Sequence, residues 1–388
     1  MTGDGTFATS GRSVEKTAKK FGHPPKPGQP DARWALLTGG GRSNLLVPSV
    51  ALDGTKVVVA SSPDRKTAEA ITFTPSRARD VESPKVNPIA SGYATLGDPV
   101  LLPRPGGGLQ VLLAAAHSDS ARSGVSFVPR NPDGTFGPPV LATKGTADIG
   151  GAAVLAPDGA PLWATASAVR LVLWRGATNS GSADLSSLSP GTSYIPSVGR
   201  DALGRYWVAW YSLGSSTKPL TSGLFMLRFD PSSLRPIGGV ERAPKSGSIS
   251  NENLRFALAC ARSCRLFYHE DKSGRGERLV SWAPGERAAT VVANAKRTGE
   301  PHAWLAAAYT SGGRLWTAWF DVAKGTYRAQ LGDARGAGGK SLSIGKPQSS
   351  GAGYAISLLT IANDLVFTVN WQQANGVFAR FANVVPAA

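Results

Sequence analysis

Apolar residues fall in short runs along most of the chain, separated by stretches rich in Gly, Pro, Asp and Ser. Runs of about four to eight apolar residues bounded by turn residues read as β-strands. Residues 193–214, SYIPSVGRDALGRYWVAWYSLG, show the unit most clearly. A strand over 194–198 leads into a tight turn at 201–204, and a second strand follows over 206–211. Weaker copies recur. First strands are predicted at 47–52, 100–102, 152–155, 194–198, 254–260, 303–309 and 356–361. Second strands are predicted at 56–61, 109–116, 162–166, 206–211, 265–268, 314–320 and 365–371. Third strands follow at 68–74, 124–128, 169–174, 223–229, 278–282, 326–330 and 376–381. Fourth strands are legible only at 140–142, 240–243, 289–292 and 341–344.

The units repeat about every 51 residues, the spacing of propeller blades. Trp207 and Trp210 follow Gly204 by the same intervals at which Trp316 and Trp319 follow Gly313. An odd spacing on a strand sends the two indoles to opposite faces, so both faces of the sheet must be covered. Sheets stacked around an axis do this; a one-sided surface sheet would alternate apolar and polar. The expectation is an all-β, seven-bladed propeller of four-stranded antiparallel blades. The last unit has three strands, and residues 32–38, ARWALLT, are expected to supply its fourth and so close the ring. Residues 1–31 read as a disordered, basic, Pro-rich lead-in, and 32–388 as one propeller domain.

Composition agrees and adds little to the fold: charged residues are 18% of 388, with 46 Gly and 28 Pro. Charge changes the picture more. The formal net charge is +16, and the lead-in carries only a small part of it. Such a balance favours anionic partners. No stretch approaches the length of a membrane span. Cys260 and Cys264, the two cysteines, flank a predicted turn that lacks glycine. They read as a disulfide stapling that hairpin, which implies an oxidising, extracellular or cell-surface setting with any export signal already removed.

Several motif-like segments fail on context. ARGAGGKS at 334–341 lacks the first glycine of a phosphate loop and no helix follows it, so it reads as a hairpin connection. HED at 269–271 lacks a second histidine at zinc-binding spacing, and no metal site is expected. No cofactor is indicated.

NPDGTF at 131–136 sits between a third and a fourth strand, where an Asp box would lie, and Tyr194-Ile195-Pro196 is similar to an aromatic-Arg-Ile-Pro signature without its arginine. On these segments the chain resembles propellers of the sialidase-like, Asp-box group over about residues 32–385. The resemblance implies the fold; without that arginine it does not imply sialidase activity.

In a propeller, the loops joining second to third strands share a rim with the segments leading into first strands. That rim collects His117, Asp119, Tyr194, Tyr211, Glu252, His269, Glu270, Glu300, His302, Tyr354 and Trp371. Histidine, carboxylate and tyrosine converging on a funnel can serve acid–base chemistry or glycan hydrogen bonding. The first expectation is an exported propeller that recognises an anionic extracellular or cell-surface glycan, with His117, Asp119, Tyr194, Glu270, Tyr354 and Trp371 as ligand-binding residues. The second is a polysaccharide lyase with His269 or His302 as base and Tyr211 as acid, or a glycoside hydrolase using Glu252 and Glu300. The third is a protein-interaction scaffold. Scattered positive charge argues against nucleic acid.

Overall fold

The structure, a computed structural model, describes residues 35–39, 47–75, 81–104, 106–145, 148–149, 152–167, 170–178, 180–214, 222–247, 256–270, 278–294, 305–321, 324–345, 355–361, 364–371 and 376–382. Its hydrogen bonding groups the strands into seven antiparallel sheets, numbered here in chain order. Sheet 4 is the most regular: Thr192–Arg200, Tyr206–Leu213, Gly223–Phe229 and Pro236–Arg242 pair in sequence order. Sheet 1 (Ser49–Asp53, Lys56–Ser61, Ala68–Pro75, Val81–Ala90) has the same order. So do sheet 5 (Ala257–Cys260, Cys264–Glu270, Arg278–Trp282, Thr290–Asn294) and sheet 6 (Leu305–Tyr309, Leu315–Asp321, Thr326–Leu331, Ser341–Gly345). The chain is an all-β propeller of four-stranded antiparallel blades.

Two sheets depart from regularity in their first strand. In sheet 2 that strand is broken into Thr95–Leu96 and Val100–Pro103, both paired with Leu109–Ala116. In sheet 3 it is broken into Asp148–Ile149 and Val154–Leu155, both paired with Pro161–Ala166. Pro99, which has no N–H to donate, separates the first two pieces, and Gly150 and Gly151 lie between the second two. Two fourth strands that the hydrophobic pattern does not reveal are also present. Val81–Ala90 carries Pro84 and Pro88, and Gly181–Asp184 has almost no apolar side chain; both lie at sheet edges, where such residues are tolerated. In sheet 7, Ile356–Ile361, Asp364–Trp371 and Gly376–Ala382 are joined by Ala35–Gly39, which pairs antiparallel with Gly376–Ala382.

Apolar clusters lie between consecutive sheets. Trp210 packs toward sheet 3 with Leu162 and Leu173, while Trp207 packs toward sheet 5 with Leu266 and Tyr268. Trp316 and Trp319 divide in the same way between sheets 7 and 5. The two-faced burial inferred from the tryptophan spacing is therefore present. A further cluster joins Val57, Val59 and Phe73 of sheet 1 to Ile361 and Val366 of sheet 7. Cys260 and Cys264 form the expected disulfide across the hairpin of sheet 5.

Strand reversal sorts the connections. First-to-second and third-to-fourth connections share one end of each sheet, here the turn rim. Second-to-third loops and the segments leading into each sheet share the other, the loop rim. Among the turn-rim connections, Asp133 of NPDGTF accepts from the N–H and hydroxyl of Thr135 at 2.9 and 2.7 Å. The segment is a turn stabilised by its own aspartate.

Candidate functional site at the loop rim of sheets 4 and 5

The candidate site lies where the loop-rim ends of sheets 4 and 5 meet. Tyr194 opens the first strand of sheet 4 opposite Tyr211 in its second. The register shifts between Tyr194 and Ser197, and Ile195 takes φ 50°. A β-branched residue in the left-handed region is strained, and Pro196 follows it, so the bulge turns Tyr194 out of the regular pleat. Lys245 is a second non-glycine residue with positive φ (49°), in the segment after the fourth strand. Strain of this kind persists only where surrounding contacts impose it, and it gathers at working sites.

Tyr211, expected as an acid on the rim, is fully buried. It packs with Leu224, Met226 and Tyr268. Burial pushes its phenol above the ordinary range, while a hydrogen bond with Ser222 and the charge of Arg242 act in the opposite direction. Its cross-strand neighbour Tyr194 is only half-buried. Tyr194 is thus the tyrosine at this corner that solvent reaches.

His269 and Glu270 were expected in a loop after residue 268. They belong instead to the strand Cys264–Glu270, every residue of which is buried. The reason is pairing: His269 lies opposite Leu279 and Glu270 opposite Arg278, so the ladder extends two residues past the apolar run. Strand alternation places Glu270 on the face toward sheet 4 and His269 on the face toward sheet 6. Glu270 is held on two sides. Arg278 donates to Oε2 through Nε at 2.8 Å and Nη2 at 2.5 Å, and Lys245 Nζ lies 3.4 Å from Oε1. Lys245 and Arg278 reach solvent while the carboxylate does not. Arg242, also exposed, donates through Nη2 to the Ser222 carbonyl at 2.6 Å.

The corner therefore carries Lys245 and Arg278 against one enclosed carboxylate, with Arg242 and Tyr194 on sheet 4, while His269 turns to the other face of its strand. The arginines and lysine escaped the sequence reading, which ranked histidines and carboxylates. Their position was the available signal: Arg278 opens a third strand and Arg242 closes a fourth, both at the loop rim.

His117 and Asp119 lie on the loop rim of sheet 2. Asp119 N–H donates to His117 Nδ1 at 3.1 Å, and the Asp119 carboxylate caps the turn Ser120–Arg122 by accepting from Ala121 N–H at 2.9 Å. His117 meets Tyr93 edge-on at 6.0 Å. These are local loop contacts, and no hydrogen bond among the described residues joins them to the corner of sheets 4 and 5. Trp371 ends the second strand of sheet 7; its side chain lies outside the described residues, as do Glu252, Glu300, His302 and Tyr354 and residues 1–31. Among the described residues no group of three or more His, Cys, Asp or Glu is placed to hold a metal ion.

Comparison with known proteins places the fold. No family model matches, and no curated protein matches by sequence. Solved structures do. The polysaccharide lyase Uly1 is similar at TM-score 0.55 and 9% identity, over 97% of this chain and 96% of that one. A family 25 ulvan lyase bound to -[GlcA(1-4)Rha3S]- is similar at TM-score 0.57 and 9% identity, over 89% and 95%. The Cps50 (Swd1) β-propeller domain of Myceliophthora thermophila is similar at TM-score 0.52 and 13% identity, over 90% and 100%. At these identities the likeness defines a β-propeller, the fold shared by two polysaccharide lyases and the Cps50 (Swd1) domain. No helix among the described residues is long and apolar enough to cross a membrane.

Proposed function

We propose that this chain is an extracellular propeller that acts on an acidic polysaccharide by β-elimination at the loop rim of sheets 4 and 5. The observation that carries the reading is the exposed Arg242, Lys245 and Arg278 at the loop-rim ends of sheets 4 and 5, with half-exposed Tyr194. Elimination from a uronate removes the proton beside the carboxylate and expels the 4-linked sugar. It needs a base, an acid for the leaving oxygen, and cations against the carboxylate. His302 is the base in this reading, because His269 is enclosed in its strand and faces sheet 6. Tyr194 takes the acid role that enclosed Tyr211 cannot fill at the surface, and Arg242 and Lys245 face the uronate. The lyases among the structural neighbours act on the same scaffold.

The reading rests on a closed seven-bladed ring in which Ala35–Gly39 completes the last blade. The apolar cluster between sheets 1 and 7 and the pairing of Ala35–Gly39 with Gly376–Ala382 support it. The disulfide supports an extracellular location.

The test is incubation with uronate-containing polysaccharides while following the ultraviolet absorbance of the new double bond. Signal from the wild type that disappears in His302→Ala and Tyr194→Phe supports elimination. Binding without any unsaturated product supports glycan recognition alone, a reading favoured by the enclosure of Tyr211.

A further inference from the structure

The loop rim is not the only place where cations gather. On the turn rim, sheets 4, 5 and 6 each bring exposed arginine to a connection: Arg200 beside the turn of sheet 4, Arg262 at the disulfide hairpin of sheet 5, Arg287 in the last connection of sheet 5, and Arg335 in that of sheet 6. Neighbouring connections touch. Ala202 N–H donates to the Ala261 carbonyl at 2.6 Å, joining the turns of sheets 4 and 5. Arg335 Nε lies 3.7 Å from Glu286 Oε1, joining sheets 5 and 6.

The carboxylates nearby are already engaged. Asp201 is buried and accepts from Arg205, Trp207 and two backbone N–H groups. Glu286 takes two bonds from Arg265, each 2.7 Å. Asp333 accepts from the backbone of Arg335 and Ala337. Among the described residues no carboxylate pairs with Arg200, Arg262 or Arg287, so this arc is net positive and faces water.

We propose that the turn rim of sheets 4, 5 and 6 is a second attachment surface, for a linear acidic polysaccharide. Cations delivered sheet by sheet along an arc match a chain whose charges recur along its length. Leu203, 65% exposed between Arg200 and Arg205, gives the apolar face of a sugar ring a surface to rest on. The aromatic faces here are already covered: the Arg205 guanidinium lies 5.9 Å from the Trp207 ring centroid and that of Arg200 5.5 Å from the Tyr206 ring centroid. Polysaccharide is therefore favoured over nucleic acid, which would use stacking platforms. The surface does not require the chain to be an enzyme.

The test compares wild type, Arg262→Glu/Arg287→Glu on the turn rim, and Arg242→Glu/Lys245→Glu on the loop rim, binding to immobilised polygalacturonate and chondroitin sulfate at low and high salt. Neither Arg262 nor Arg287 makes a side-chain bond among the described residues, and thermal unfolding verifies that the variant folds. The turn-rim variant is expected to bind about tenfold or more weakly at low salt, where exposed charges are least screened. The loop-rim variant is expected to retain salt-sensitive binding. Wild-type affinity in the turn-rim variant overturns the proposal, as does tighter binding of duplex DNA than of either polysaccharide. Double-bond formation is a separate readout, so failure of the elimination reading and failure of this one are distinguishable.

Discussion

Arg278 closes the last rung of its ladder on Glu270, donating through both Nε and Nη2 to one carboxylate oxygen while Lys245 approaches the other. The carboxylate is buried and its partners are not, so Glu270 serves to position two cations at the surface. Glu270→Gln should cost about 1–3 kcal/mol of stability, between the values for exposed and enclosed pairs. Chemical denaturation checks this. The same variant should change the apparent affinity for anionic glycan more than its turnover, because it leaves both cations in place without their anchor.

Gly199 lies where sheet 4 meets the disulfide. A Cβ there would stand 2.4 Å from Cys260 Sγ and 3.1 Å from Leu258 Cδ2. Gly199→Ala should destabilise by about 1–3 kcal/mol through overpacking. Thermal unfolding measures it, and the effect should shrink in a Gly199→Ala/Cys260→Ser/Cys264→Ser background, which removes the disulfide from the crowded spot.

Replacing Cys260 and Cys264 together by serine should cost about 2 kcal/mol, the small value expected for a short loop. The protein should still fold, because the apolar clusters between sheets remain. A protein that fails to fold would mean the hairpin has no stability of its own.

Glu286 predicts a pH dependence. Burial opposes its charge, yet bonds from Arg265 and from the Ala283 backbone, with Arg265 and Arg335 nearby, hold its carboxyl below the ordinary range. A carboxyl lowered on folding adds stability above its unfolded pKa, and that stability is lost as pH falls through the folded value. Unfolding free energy should therefore decline below about pH 4, the ordinary glutamate range. In Glu286→Gln that part of the decline should be absent, as denaturant titration at several pH values would show.

The fold was legible because burial on both faces of a strand leaves a mark in the sequence. Trp207 and Trp210, repeated as Trp316 and Trp319, carried that mark. The fourth strands at Val81–Ala90 and Gly181–Asp184 left none: an edge strand needs backbone pairing but few apolar side chains, so prolines and small polar residues suffice. The outer pieces of the broken first strands, Thr95–Leu96 and Asp148–Ile149, were hidden because two residues with a single apolar side chain each make no visible run. The candidate site was legible by rim and not by depth. His269 and Glu270 are polar and read as loop, but their pairing with Leu279 and Arg278 draws them into the sheet. Tyr211 read as rim and is enclosed. Arg242, Lys245 and Arg278 acquire meaning only when two sheets are placed side by side.

Ala35–Gly39 pairs with Gly376–Ala382. In kinetic terms, this sheet joins two stretches far apart in the chain. The entropy of closing so long a loop grows only as the logarithm of its length, so the pairing is affordable once both partners exist. It is late all the same. Until Gly376–Ala382 is made, Ala35–Gly39 has no partner strand to join. Once made, the pairing leaves Gly376–Ala382 no open backbone edge for another chain to join.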